Sequence, residues 1–317
     1  MPEHLGDRLV RGDKGKWLDA LAAPFGAVVG GFYRLPGTRW IKDILHGTWP
    51  LRHPLHPALT DAAAGGYTVL AVLDVLYLLQ RDAAVAQVSV TVLLISQLAS
   101  LASIVSGLTD WNETNGNERR LGIVHGVLMT LISVAYLGSL LMRSSAGGPP
   151  ADAALYLALG AWLALLAAAH LGGEMTYGFG TGVGRHAWAT ISDKWQTLQV
   201  PAASLEDRKP VRANMKNGFA VMVVRMDDEI EAIAAVCTHA GGPLDKGAFV
   251  GGDRRDIECP WHRSVFSVSS GAVLHGPATI DEPTFETRVA TDGNVEVRVR
   301  GPRPAAEKTG AAPSSAS

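Results

Sequence analysis

Cysteine is nearly absent: the 317 residues contain two, Cys237 and Cys259. A disulfide-stapled scaffold is thereby excluded, and the scarcity agrees with a reducing compartment. An excess of charge of one sign is also lacking. The formal net charge is −2, so no basic nucleic-acid surface is implied. The N-terminus shows no cleavable signal and no twin-arginine pair, because its first apolar stretch is interrupted and no small-residue cleavage site follows. No internal repeat is evident. Between residues 62 and 172 even ordinary charge is sparse, whereas 185–300 read like a soluble domain.

Charge-poor runs of this kind have few uses outside a membrane. Four hydrophobic stretches, 62–80, 83–109, 121–142 and 153–173, each approach the ~20 residues that cross a bilayer. Their short connections predict an antiparallel four-helix transmembrane bundle. Gly65, Gly66, Ala99, Ser100, Gly138 and Gly160 would let the helices approach closely. A soluble four-helix core would need charged outer faces, which these stretches lack. Asp74, inside the first span, calls for a partner, and Gln97 is the expected one, with a proton relay as the sharper alternative. Ahead of the bundle, residues 1–16 read as mobile. Residues 17–33 contain Pro24 and are too short to span, so they read as interfacial or packed. Trp40 and Trp49 suit the membrane–water boundary. The expected divisions are 1–40, 41–184, 185–300 and a disordered tail, 301–317.

Lysine and arginine placement orients the spans. Lys42, Arg52, Arg119, Arg120, Arg185 and Lys194 flank one end, and Arg81 and Arg143 the other. The positive-inside rule then predicts a multi-pass protein of the cell inner membrane with both termini cytoplasmic.

Both cysteines fall in one motif. Cys237-Thr-His239 is followed, after an intervening segment, by Cys259-Pro-Trp-His262. Thiolates and imidazoles together suit iron. Zinc is the competing reading, but a zinc ribbon would use paired Cys-x-x-Cys knuckles or a helical histidine pair, and neither is present. The motif resembles that of Rieske [2Fe-2S] proteins. The resemblance implies that Cys237 and Cys259 bind one iron and His239 and His262 the other. It also implies cluster-enclosing loops at Gly241, Gly242, Pro243, Pro260 and Trp261, on an all-β antiparallel sandwich. Respiratory Rieske proteins add a disulfide beside the cluster, but Gly242 and Trp261 occupy those positions here, so the likeness is to the ferredoxin-like branch. Ser264 matches a serine that bonds the cluster sulfurs, whereas Phe266 replaces the usual tyrosine. A potential in the lower part of the range of about −150 to +300 mV is expected. The β pattern agrees: 219–225 and 230–236 flank an acidic turn, and 285–290 and 295–300 flank Asp292-Gly293.

The bundle brings a second constellation. Its histidine–proline entry at 46–57, the Gly107-Leu-Thr-Asp110-Trp111 run and the Leu171-Gly-Gly-Glu174 run resemble a bacterial membrane family known as domain of unknown function 2231. Helix parity places His53, His56, Asp61, Asp110, His125, His170 and Glu174 at one membrane face, the one bearing the Rieske domain. Three readings stand: a hydrogen-bonded helix lock, a haem b or metal site on facing histidines, and a quinone site.

Three functions follow. The protein is a membrane-anchored single-electron carrier linked to a bundle cofactor or quinone, a ferredoxin component of an oxygenase or reductase system with the bundle as anchor, or an iron–sulfur redox sensor. The expected partners are the lipid bilayer, an electron donor and an acceptor, with homo-oligomerisation open. An oxygenase catalytic subunit is disfavoured because only a short tail follows the last strand.

Overall fold

The computed structural model describes residues 5–10, 12–145 and 150–300. The expected 301–317 tail lies outside them. The chain divides into two compact units, Met1–Val183 and Gly184–Ser317.

The first unit is helical. Its elements are α1 (Leu5–Val10), α2 (Lys16–Phe32), α3 (Arg39–His46), α4 (Leu55–Gln80), α5 (Ala83–Trp111), α6 (Gly116–Ser145) and α7 (Asp152–Glu174), with a π-helical turn at Met175–Phe179. Helices α4 to α7 are long and apolar enough to cross a membrane. Val72, Ile95, Leu131 and Leu163 stand exposed on their outer faces, a surface suited to lipid rather than water. The tight α4–α5 connection is set by Arg81 at φ 56° and by Asp82, whose Oδ1 accepts the Ala84 N–H at 2.7 Å.

The N-terminal segment departs from expectation. Residues 5–10 are helical, and Val10 is fully buried against Leu18, Trp111, Leu121 and Leu171. Arg120 ties this segment down by donating to the Asp19 carboxylate and the Val10 carbonyl. The anchor is the Val10 side chain and its backbone carbonyl, which the composition alone conceals. Residues 17–33 form a packed helix.

The bundle interior is polar along its length. On α5 the residues Ser89, Ser96, Gln97, Ser100, Ser103 and Ser106 are all buried. Asp74 is indeed paired, but with Arg143: the guanidinium donates to both carboxylate oxygens at 2.8 and 2.5 Å, and both side chains are fully buried. Gln97 instead accepts from Tyr67 at 2.7 Å and donates to Ser133 at 2.8 Å. Arg143 also donates to Ser89 and Ser139, so it is a core residue and not a loop charge.

A repeat appears that the sequence conceals. Asp74 and Arg143 lie 69 residues apart, and the same offset relates Tyr67 to Tyr136 and His56 to His125. The tyrosine rings stack at 3.7 Å with planes 3° apart. Helices α4 and α6 are thus equivalent about a pseudo-two-fold axis down the bundle, and equivalent residues meet across it. The duplication escapes sequence inspection because only isolated positions match, tyrosine with tyrosine and histidine with histidine, while the charged pair is unlike, aspartate opposite arginine.

The second unit is β. One antiparallel sheet has six strands in the order β1 (Gln196–Pro201), β10 (Asn294–Val299), β9 (Thr284–Val289), β4 (Glu229–Ala234), β3 (Ala220–Met226), β2 (Val211–Asn214). A second has β5 (Ala248–Val250), β6 (Asp256–Glu258), β7 (Val265–Ser267) and β8 (Val273–His275) in sequence. Strand β3 is buried on both faces. Val221 and Val223 enter one core, while Met222, Val224 and Met226 enter the other, which also holds Cys237, Cys259 and Phe266. Both expected hairpins form, turning at Asp227 (φ 57°) and Gly293 (φ 82°).

Candidate functional site

The two motif segments fold into matching loops. In the first, Cys237 N–H donates to the Gly242 carbonyl at 2.8 Å, and Gly241 N–H returns to the Cys237 carbonyl at 2.9 Å. In the second, Cys259 N–H donates to Ser264 at 2.8 Å, and Arg263 N–H returns to Cys259 at 3.0 Å. The residue before each loop's end is left-handed: Gly241 at φ 84° and Arg263 at φ 64°. Gly242 must be glycine, since a Cβ there would stand 2.7 Å from Cys259 Sγ. Pro243 joins Val236 in a bridge that anchors the first loop to the sheet.

These loops sort the four candidate ligands into two pairs. Cys237 and Cys259 are buried and in hydrogen-bond contact, and main-chain N–H groups of Trp261 and His262 point at Cys259 sulfur. The Cys237 contact and those N–H groups bring Cys259 down to about 7, while Cys237, the donor, is pushed up. His239 and His262 are half-buried, their rings 5.0 Å apart and nearly perpendicular. Nδ1 of His239 is buried without a hydrogen bond. A sulfur end and a nitrogen end are what two irons require. The residues fit a [2Fe-2S] group.

The surroundings complete the centre. Ser264 is fully buried and its Oγ accepts the Ala278 N–H at 3.0 Å, so the hydroxyl proton is left to donate. Phe266 is fully buried beside the cysteines and has no proton to give. Trp261, beyond Pro260, is 54% exposed and packs edge-on to His262. One buried acid was missed by sequence reasoning: Glu282. Its Oε1 accepts the Thr238 N–H at 2.5 Å, and His186 lies 3.3 Å from Oε2. Burial raises the Glu282 carboxyl above its usual range. The residue stands in a loop with no motif around it, so only its place in the fold reveals it.

In the helical unit the polar residues lie at one bundle end but do not form one cluster. Asp110 pairs with His46 Nδ1 at 2.6 Å, a partner absent from the expected set. His56 bonds the Ser103 carbonyl at 2.9 Å, and His125 bonds the Ala168 carbonyl at 3.0 Å. His170, 62% exposed, lies 3.1 Å from Glu174, which accepts the Gly6 N–H. His53 is exposed and bonds the Pro54 carbonyl, and Asp61 is exposed. Parity fixes the level of each residue, whereas helix rotation sends Asp110, His170 and Glu174 to other partners and leaves His53 and Asp61 exposed, while His56 and His125 remain neighbours.

Comparison with known proteins agrees with both halves. Residues 52–185 match the family of predicted membrane proteins DUF2231, and 195–286 match the Rieske [2Fe-2S] domain. Ferredoxin CarAc of Metapseudomonas resinovorans is 34% identical over 103 residues, 32% of this chain and 91% of that protein. The anthranilate 1,2-dioxygenase ferredoxin subunit of Burkholderia cepacia is 30% identical over 111 residues, 35% of this chain and 96% of its own. These relatives are electron-carrying ferredoxins matched almost end to end by one segment of a longer chain. The chain therefore belongs to the Rieske [2Fe-2S] family, with its Rieske domain joined to a DUF2231 membrane domain.

Proposed function

We propose that this protein is a membrane-anchored carrier of single electrons. Cys237 and Cys259 would hold one iron of the cluster, and His239 and His262 the other. When bound, the cluster supplies one reversible electron. The observation that carries the reading is the polarity of the site: the cysteine pair is buried, while the imidazole pair reaches the surface beside exposed Trp261. The imidazoles give the electron a short exit path, and Trp261 offers an apolar edge for a redox partner to cover. By analogy with the anthranilate 1,2-dioxygenase ferredoxin subunit, the components of an oxygenase system are fitting redox partners.

The four spans hold this domain at the bilayer, and the cytoplasmic face of the inner membrane is the proposed side. With Arg143 inside the bundle and Arg81 paired to Asp152, the far end offers little free positive charge. Reduction of the liposome-reconstituted protein by NADH and a ferredoxin reductase, followed by reoxidation with an artificial one-electron acceptor, tests the carrier role. Rapid cycling of the Rieske spectrum is expected. A cluster that reduces but is not reoxidised within seconds would favour the sensor reading instead.

A further inference from the structure

The pseudo-two-fold of the bundle places His56 on α4 and His125 on α6 at equivalent positions and one level. Their settings are equivalent too. His56 Nδ1 lies 2.9 Å from the Ser103 carbonyl, with its ring on Gly107, one turn further along α5. His125 Nδ1 lies 3.0 Å from the Ala168 carbonyl, with its ring on Gly172, one turn further along α7. A Cβ on Gly107 would come 2.6 Å from the His56 ring, and one on Gly172 would come 3.2 Å from that of His125. Two helices have thus each kept a glycine and a carbonyl in the same relation to an incoming imidazole.

The carbonyl decides the tautomer. It can only accept, so the shorter carbonyl contact puts the proton on Nδ1 in both rings, with the Ser103 hydroxyl oxygen, 3.2 Å from His56 Nδ1, as a second acceptor, and Nε2 keeps its lone pair. Imidazoles that ligate metals are held in this way, with the second nitrogen donating to a carbonyl or carboxylate. The carbonyls engage Nδ1 of each ring and not Nε2, and the two rings lie within electrostatic range of each other. Among the described residues no third histidine, cysteine or carboxylate converges with them. A bare ion would be short of ligands. A metal that brings four equatorial ligands of its own needs only two more, one from each side.

We infer that His56 and His125 are the axial ligands of a b-type haem lying on the pseudo-two-fold axis of the bundle. The assignment stands independently of the electron-carrier reading of the β domain. Iron tetrapyrrole also matches a pair of neighbouring imidazoles whose Nε2 lone pairs are free to bind ferric or ferrous iron.

The test is the visible spectrum of the full-length protein, purified in detergent and titrated with hemin, before and after dithionite. A sharp Soret band with split reduced bands, saturating at one haem per chain, is expected over the broad Rieske absorption. His56→Ala and His125→Ala should each abolish the six-coordinate signature, and added imidazole should restore it. His170→Ala should leave it intact. Resistance to SDS unfolding in the same samples, followed by far-ultraviolet circular dichroism of the helices, reports whether the bundle of each variant has folded. Hemin titration with no low-spin band would overturn the assignment. So would a band lost in His46→Ala but kept in His125→Ala. Failure of either kind would leave the Rieske signal, and the reading built on it, untouched.

Discussion

At the scale of single residues, the cluster site is tuned by what its neighbours can donate. Ser264 has a proton to offer and Phe266 does not. Phe266→Tyr should therefore raise the potential and Ser264→Ala lower it. Each shift should be about 60 mV, the one-electron equivalent of a hydrogen bond worth about 1.4 kcal/mol. Redox titration followed by circular dichroism measures both. His262→Cys should abolish the Rieske spectrum or lower the potential steeply, because a thiolate adds negative charge where an imidazole had none. An unchanged spectrum would remove His262 from the ligand set. Glu282 makes a prediction about pH. Its folded-state pKa is raised from the ordinary 4.5 by burial, so the protonated form is the one the fold favours. Stability should be fully present below about pH 4.5 and decline as pH rises through the raised value. Glu282→Gln should flatten that decline in thermal unfolding curves. An identical pH profile in the variant would show that another group is responsible.

At the scale of elements, the Asp74–Arg143 pair locks α4 to α6. Removing one partner leaves a buried charge alone, at a cost of about 3–5 kcal/mol. Asp74→Ala should lower resistance to SDS unfolding by that order. Because the two positions are equivalent about the axis, the exchange Asp74→Arg with Arg143→Asp should recover part of the loss. No recovery would mean that Ser89 and Ser139, which bond the guanidinium, matter more than the pair itself. The elements themselves were largely legible. Four apolar runs gave four spans, and alternation along 295–300 gave β10, with Val295 and Val297 buried. Their rotations were not legible. In a membrane bundle the outer face is as apolar as the core, so nothing in the pattern says which side of a helix turns inward. That is why Arg143 passed for a loop charge and Gln97 for the partner of Asp74. The four candidate ligands stood out in the sequence because their residue types and spacing are rare, whereas Glu282 sits in no pattern.

At the scale of the whole molecule, two units with separate cores share one polypeptide. The Rieske unit corresponds to relatives matched over 91% and 96% of their length, so a fragment spanning 184–300 should fold alone and keep its cluster spectrum. The intact chain should remain with the membrane after alkaline extraction while the fragment is released. Protease added to inside-out vesicles should remove the Rieske signal, and protection there would reverse the proposed orientation.

The unlike pair on the bundle axis also limits which halves can assemble. Two copies of the α4–α5 hairpin brought together in the same way would set Asp74 against Asp74, and two copies of α6–α7 would set Arg143 against Arg143. Each hairpin repels its own kind in the dry interior and accepts only the other. One buried charge of each sign therefore acts as a mating type, permitting the mixed assembly and forbidding both pure ones.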